Sequence, residues 1–190
     1  MKTFLGIDVP ENIRNSILAL IDANRHSAPE ATWTKCPHIT LLFLGERPVP
    51  EDKLVAVANQ YRPIMVSLGG CGTFKNRGGT VVWVGVKEGF GEVYGLMKDL
   101  HLSTGIRPYG KDVSPHLTIV KELVISTEEG RAGPRICNTI YKEGPILPQD
   151  LKRQLVLTDY GPWIASGITL YESKGGGIYE PIKEYKFNSQ

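Results

Sequence analysis

Two pentapeptides, Pro37-His38-Ile39-Thr40-Leu41 and Pro115-His116-Leu117-Thr118-Ile119, follow one pattern of proline, histidine, aliphatic, threonine, aliphatic. In an extended strand, residues i and i+2 point to the same face, so each copy presents an imidazole beside a hydroxyl. Two such strands facing each other would form a polar cleft holding two imidazoles and two hydroxyls. That set suits displacement at phosphorus. One group must take a proton from the attacking oxygen while another, on the opposite side, gives one to the leaving oxygen. A histidine pair can fill both roles near neutral pH, since an imidazole with a pKa of about 6.5 is available in either state. The threonine hydroxyls can donate hydrogen bonds to the non-bridging oxygens, where negative charge gathers in the transition state. A strained cyclic phosphodiester is a suitable target for such metal-free chemistry. A single His-x-Thr in a strand would read as an ordinary core histidine, and it is the repetition that carries the argument. Each copy offers one imidazole, no neighbouring carboxylate completes a familiar ligand set, and threonine ligates poorly, so neither a metal nor another cofactor is expected.

The motifs need strands to hold them. Phe4 to Ile7 reads as a buried strand that leads into Pro10 at an early helical position, and Ile13, Ile17, Leu20 and Ile21 then recur at helical spacing. Ala31 to Thr34 reads as a short extended piece, and His38 to Leu44 as a central strand ended by Gly45-Glu46-Arg47-Pro48. Pro50-Glu51-Asp52 opens a second helix with Leu54, Val57, Ala58 and Tyr61 on its apolar side. Met65 to Leu68 and Val81 to Val86 are the next strands. The glycine-rich run from Gly69 to Gly79 between them is expected to be a long hairpin turn: it lacks a Gly-Lys-Ser/Thr ending and precedes a strand, so it does not fit a phosphate loop. A third helix is expected from Gly91 to Ser103, with Val93, Leu96, Met97 and Leu100 buried, then a basic connection through Arg107, Tyr109 and Lys111 to a strand from His116 to Val120. Residues 125–149 read as loop-rich with one short strand at 136–141. Gln154 to Leu157, Gly167 to Tyr171 and Ile178 to Phe187 read as closing antiparallel strands. His26 and His101 fall in last helical turns, where a histidine favours the helix dipole and implies no chemistry.

Composition is that of an ordinary soluble globular protein, with 41% hydrophobic and 22% charged residues among 190. A net charge of +2 permits an anionic ligand without requiring one. Cys36, Cys71 and Cys137 are odd in number and form no Cys-x-x-Cys pair, which suggests a reducing compartment. Asp8 and Pro10 interrupt any leader-like apolar run, and no segment reaches the roughly 18 apolar residues of a membrane span, so a cytoplasmic protein without a membrane partner is expected.

On these residues the chain resembles the two-histidine phosphoesterases, and among them the RNA 2',3'-cyclic phosphodiesterases, also called 2'-5' RNA ligases. The resemblance rests on His38-Ile39-Thr40-Leu41 and His116-Leu117-Thr118-Ile119. It is supported by Phe4 to Pro10, Leu42-Phe43-Leu44-Gly45-Glu46, Val82 to Val86 and Ile168 to Ser173. It implies an α+β fold, with residues 1–190 forming a single bilobal domain of pseudo-two-fold symmetry. Mostly antiparallel sheets would line a central cleft, with helices packed outside. It further implies that His38 protonates the leaving oxygen, that His116 activates water, and that an RNA 2',3'-cyclic phosphate opens to a 2'-phosphate, with weak reverse 2'-5' ligation. Thr40 and Thr118 complete the site. Lys121 stands where many relatives carry an arginine just after the second motif, so a point charge would replace a bidentate contact to phosphate. Arg47, Lys75, Arg77, Arg107 and Lys111 offer a basic approach for an RNA strand. The partner implied is an RNA or oligonucleotide with a cyclic phosphate end, bound by a monomer that has no obligate protein partner. Alternatives are the same chemistry on a 2'-5' linked or cyclic oligonucleotide or on ADP-ribose cyclic phosphate, or an RNA-end binding module without turnover.

Overall fold

In the computed structural model, residues 1–75, 80–107, 114–123, 149–158 and 160–189 are described. The tip of the glycine-rich run, the middle of the basic connection with Tyr109 and Lys111, Arg77, Cys137 and the expected strand at 136–141 lie outside them. The first motif begins a strand at His38–Gly45 and the second begins one at His116–Leu123. In chain order the strands are β1 (Lys2–Asp8), β2 (Thr32–Trp33), β3 (His38–Gly45), β4 (Ile64–Lys75), β5 (Thr80–Val86), β6 (His116–Leu123), β7 (Tyr160–Ala165), β8 (Gly167–Gly175) and β9 (Ile178–Lys186). Helices are α1 (Glu11–Asn24), α2 (Glu51–Ala58), α3 (Phe90–Thr104) and α4 (Gln149–Leu157).

Among the described residues, nine strands form one sheet in the order β7-β4-β5-β6-β3-β1-β8-β9, with β2 alongside β6. Each pairing in it is antiparallel. The two motif strands therefore meet at the middle, with β4, β5 and β7 flanking one and β1, β8 and β9 flanking the other. This is the mostly antiparallel α+β architecture expected from the sequence. Strands β3 and β6 share one register pair, Ile39 opposite Leu117. Beyond it, β2 takes over the edge of β6, where Trp33 lies opposite Val120 and the Thr34 amide donates to Ile119 O at 2.9 Å.

Alternation explains the core. Ile39, Leu41, Leu117 and Ile119, the residues out of phase with the motif histidines and threonines, are 0–1% exposed. Helix faces read from the 3.6-residue period are buried as expected: Ile13, Ile17, Leu20 and Ile21 on α1, and Val93, Leu96, Met97 and Leu100 on α3. The helices also tie the two sets of strands together. Helix α3 packs on both β3 and β4, and α1 reaches β7 and α4. Glu51 at the start of α2 accepts from Lys183 Nζ at 2.6 Å and from the Tyr185 hydroxyl at 2.8 Å, fixing α2 on β9.

Three sequence expectations change. Residues Gln154 to Leu157 are not a strand but the end of α4, because the buried pair is Leu151 and Leu155, spaced i and i+4, while Val156 and Leu157 are 53% and 71% exposed. Gln154 helps seat that helix by accepting from Asn24 Nδ2 at 2.6 Å. Much of the glycine-rich run is strand rather than turn: β4 continues to Lys75, which pairs with Thr80 of β5. Its glycines make room for an aromatic ring, since a Cβ on Gly72 would collide with the Trp83 indole. Strand β7, finally, went unread.

Candidate active site

The first histidine and threonine of the chemistry stand on β3, where His38 is opposite Asp8 of β1 and Thr40 is opposite Gly6. The second pair stands on β6, where His116 is opposite Gly85 of β5 and Thr118 is opposite Trp83. All four side chains are half-buried. Since Ile39 and Leu117 face each other across the β3–β6 seam and point into the core, the residues on either side of them share the other face. The structure thus brings together the four residues singled out by the sequence.

The two histidines are oriented in the same way. His38 Nδ1 lies 2.7 Å from Cys36 O, and His116 Nδ1 lies 2.7 Å from Ser114 O. A carbonyl oxygen only accepts, so Nδ1 carries the hydrogen in both rings and Nε2 is left for chemistry, as a lone pair when neutral and as a donor when protonated. Each carbonyl belongs to the residue before the motif proline. Proline fixes its own φ and biases the preceding residue toward extended backbone, so both copies enter the strand along the same path.

Among the described residues, aromatic rings enclose the two imidazoles unequally. Phe4, Tyr179 and Tyr171 lie 4.8, 5.1 and 5.5 Å from the His38 ring, and Phe74 and Trp83 lie 5.5 and 5.8 Å from that of His116. Burial disfavours a charged ring in such surroundings. It pushes His38 down to about 4, with the Lys121 ammonium adding to the effect and the Cys36 carbonyl opposing it. His116 is lowered too, again by burial and against the Ser114 carbonyl. Both are therefore neutral at pH 7 in the free protein. These aromatics were missed in the sequence, because nothing local marks a tyrosine of β8 or β9 as a neighbour of a histidine in β3.

Lys121 joins the same face by a shift of phase. Simple alternation from His116 and Thr118 would point Val120, not Lys121, at the cleft. The register runs from Thr118 opposite Trp83 to Val120 opposite Val82, two steps on β6 against one on β5. Such a bulge inverts the alternation beyond it. Ile119 and Val120 are accordingly both fully buried, and the Lys121 side chain reaches Tyr179 beside His38. The other cations named from the sequence are more dispersed. Arg47 lies past the far end of β3 and donates to Leu44 O at 3.3 Å, whereas Lys75 directly follows Phe74, the residue touching His116.

A family model of the 2'-5' RNA ligase superfamily matches residues 9–126, a span that holds both motifs and Lys121. An RNA 2',3'-cyclic phosphodiesterase of Archaeoglobus fulgidus is 31% identical over 178 residues, covering 85% of this chain and 95% of the relative. One from Methanocaldococcus jannaschii is 29% identical over 193 residues, covering 97% and 100%. The crystal structure of E. coli LigT complexed with 3'-AMP shares the fold with a TM-score of 0.65 at 21% identity, covering 99% of this chain and 98% of that one. Two histidines on one face, whose Nε2 atoms have no hydrogen-bond partner among the described residues, on this sheet and with these relatives, place the chain in a known group. It belongs to the 2'-5' RNA ligase superfamily, the two-histidine phosphoesterases.

Proposed function

We propose that the protein hydrolyses the 2',3'-cyclic phosphate ends of RNA to 2'-phosphates without a metal. The observation that carries this reading is the matched pair of histidines at the centre of the sheet, each with Nδ1 committed to a carbonyl and Nε2 without a hydrogen-bond partner among the described residues. His116 Nε2 takes a proton from water as the water oxygen attacks phosphorus. The bond from phosphorus to the 3' oxygen breaks in line, and His38 Nε2 gives its proton to that oxygen. The products are a 2'-phosphate and a 3'-hydroxyl, with His116 protonated and His38 neutral until a proton exchange restores both. Thr40 and Thr118 donate to the non-bridging oxygens, and the Lys121 ammonium offsets their charge. Because burial keeps His38 neutral in the free protein, the anionic phosphate must raise its pKa on binding, so substrate and proton arrive together. The same steps reversed, with a 5'-hydroxyl in place of water, give a 2'-5' linkage as a weak side activity. In this reading residues 1–190 act as one two-lobed unit, and a monomer suffices because both motifs lie on one chain.

Hydrolysis of an oligonucleotide ending in a 2',3'-cyclic phosphate, followed by phosphorus NMR in excess chelator, tests the proposal. The expected product is the 2'-phosphate, with turnover unaffected by chelator and reduced roughly 10²- to 10⁴-fold in His38→Ala and in His116→Ala. Loss of activity on chelation, or full activity in His116→Ala, would overturn it.

A further inference from the structure

By residue type, Lys121 is the least organised member of the site: an ammonium on a flexible four-carbon stem, without the planar fork that lets an arginine aim itself. Its direction comes from the opposite half of the sheet. The Tyr179 hydroxyl accepts from Lys121 Nζ at 2.6 Å, and the ammonium lies 4.3 Å from the centroid of the same ring. That ring also meets the His38 imidazole edge-on, at 5.1 Å and an interplanar angle of 88°, and Phe4 at 4.9 Å and 78°.

This contact is not one that a flat sheet allows. Strands β3, β1 and β8 intervene between β6 and β9. With neighbouring strands about 4.8 Å apart, β6 and β9 would stand roughly 19 Å apart, beyond the reach of the two side chains. The end of the β8–β9 hairpin must arch over the cleft face, and two features of it permit this. Register shifts at Leu170/Tyr171 and Ser173/Gly175 bend the hairpin. Gly175, Gly176 and Gly177 then take φ values of +85°, +57° and +80°, in the region that favours glycine, and a Cβ on Gly177 would lie 3.1 Å from the Lys121 ammonium.

We propose that Tyr179 is a positioning residue, which aims the Lys121 ammonium at the phosphate and thereby gives a lysine the fixed direction that an arginine has by itself. The proposal rests on the phosphodiesterase reading above. One of the three ammonium hydrogens is used by the tyrosine, and two stay free for phosphate oxygens. The role belongs to the hydroxyl, so Tyr179→Phe separates it from packing, because the ring stays against His38 and Phe4.

The test is a double-mutant cycle of Tyr179→Phe and Lys121→Arg, read as KM and kcat on a dinucleotide ending in a 2',3'-cyclic phosphate. In the parent background Tyr179→Phe is expected to raise KM roughly fivefold, the scale of one net hydrogen bond, with a smaller fall in kcat. In the Lys121→Arg background the same change should alter KM less than about twofold, because a guanidinium does not need the tyrosine. An unchanged KM in the parent background, or an equal rise in both, overturns the proposal. A second readout needs no turnover. The ¹⁵N signal of the Lys121 ammonium, assigned by its loss in Lys121→Arg, should persist under conditions where other lysine ammonium protons exchange away, and should vanish in Tyr179→Phe. A parent protein without turnover removes the phosphodiesterase reading but leaves this signal to decide on the tyrosine. Absence of the signal in the parent, or its persistence in Tyr179→Phe, overturns the positioning role.

Discussion

At the scale of single residues, the proposed chemistry turns on two imidazoles whose pKa values burial lowers in the free protein. A depressed folded-state pKa means that the folded protein binds fewer protons than the unfolded chain between pH about 4 and about 6.5. Stability contributed by His38 is therefore fully present above the unfolded value and is lost as pH falls through that window. Urea unfolding midpoints measured from pH 7 to pH 4.5 should fall more steeply for the parent than for His38→Gln, whose side chain does not titrate. Parallel curves would sink the burial argument. The proposed division of labour has its own test. A cyclic substrate with sulfur in place of the 3' oxygen has a leaving group that needs no proton, so it should rescue His38→Ala and leave His116→Ala inactive. Rescue of the opposite variant would exchange the two roles. The four motif residues were legible because each imidazole and hydroxyl sit two positions apart on one strand. Lys121 had to be inferred from resemblance, because its place on the same face depends on a bulge between Thr118 and Val120 that no residue type in β6 announces.

At the scale of elements, the sequence was legible wherever a long run showed one period. Helices α1 and α3 lie where their apolar spacing puts them, and β3 and β6 where the motifs begin. Short runs were ambiguous. Gln-Leu-Val-Leu at 154–157 resembles a strand when read alone, and the helix becomes visible only when Leu151 is paired with Leu155. The two readings differ in a measurable way, since a strand would place Leu155 and Leu157 on the same face and a helix separates them. Leu155→Ala is expected to cost about 2–5 kcal/mol of stability and Leu157→Ala less than about 0.5 kcal/mol, by urea denaturation. Equal losses would return these residues to a strand. The glycine-rich run misled for a different reason: glycine there answers to the Trp83 ring lying over Gly72, a contact between two strands that composition alone presents as a turn.

At the scale of the whole molecule, the doubled motif implied a symmetric cleft, and the strand order sets one copy in each half of the sheet with the copies adjacent at the centre. The departure from symmetry was not legible. Among the described residues, His38 has three aromatic neighbours and the reach of a lysine from the other half, while His116 has two aromatic neighbours. That difference comes from the arch of the β8–β9 hairpin, which depends on bulges and positive-φ glycines rather than on any repeat in the chain.

The seam between β3 and β6 has a mechanical meaning. One register pair, Ile39 with Leu117, is a narrow ladder on which to hang two halves that must hold their imidazoles at a fixed separation. Helix α3 stiffens the layer beneath, and under the proposed function a nucleotide phosphate held by both histidines would act as a strut across the seam. Amide hydrogen exchange should register this directly. On addition of a nucleotide 2'-phosphate, protection is expected to rise at Ile39 and Leu117 and to stay constant along β7, at the edge of the sheet.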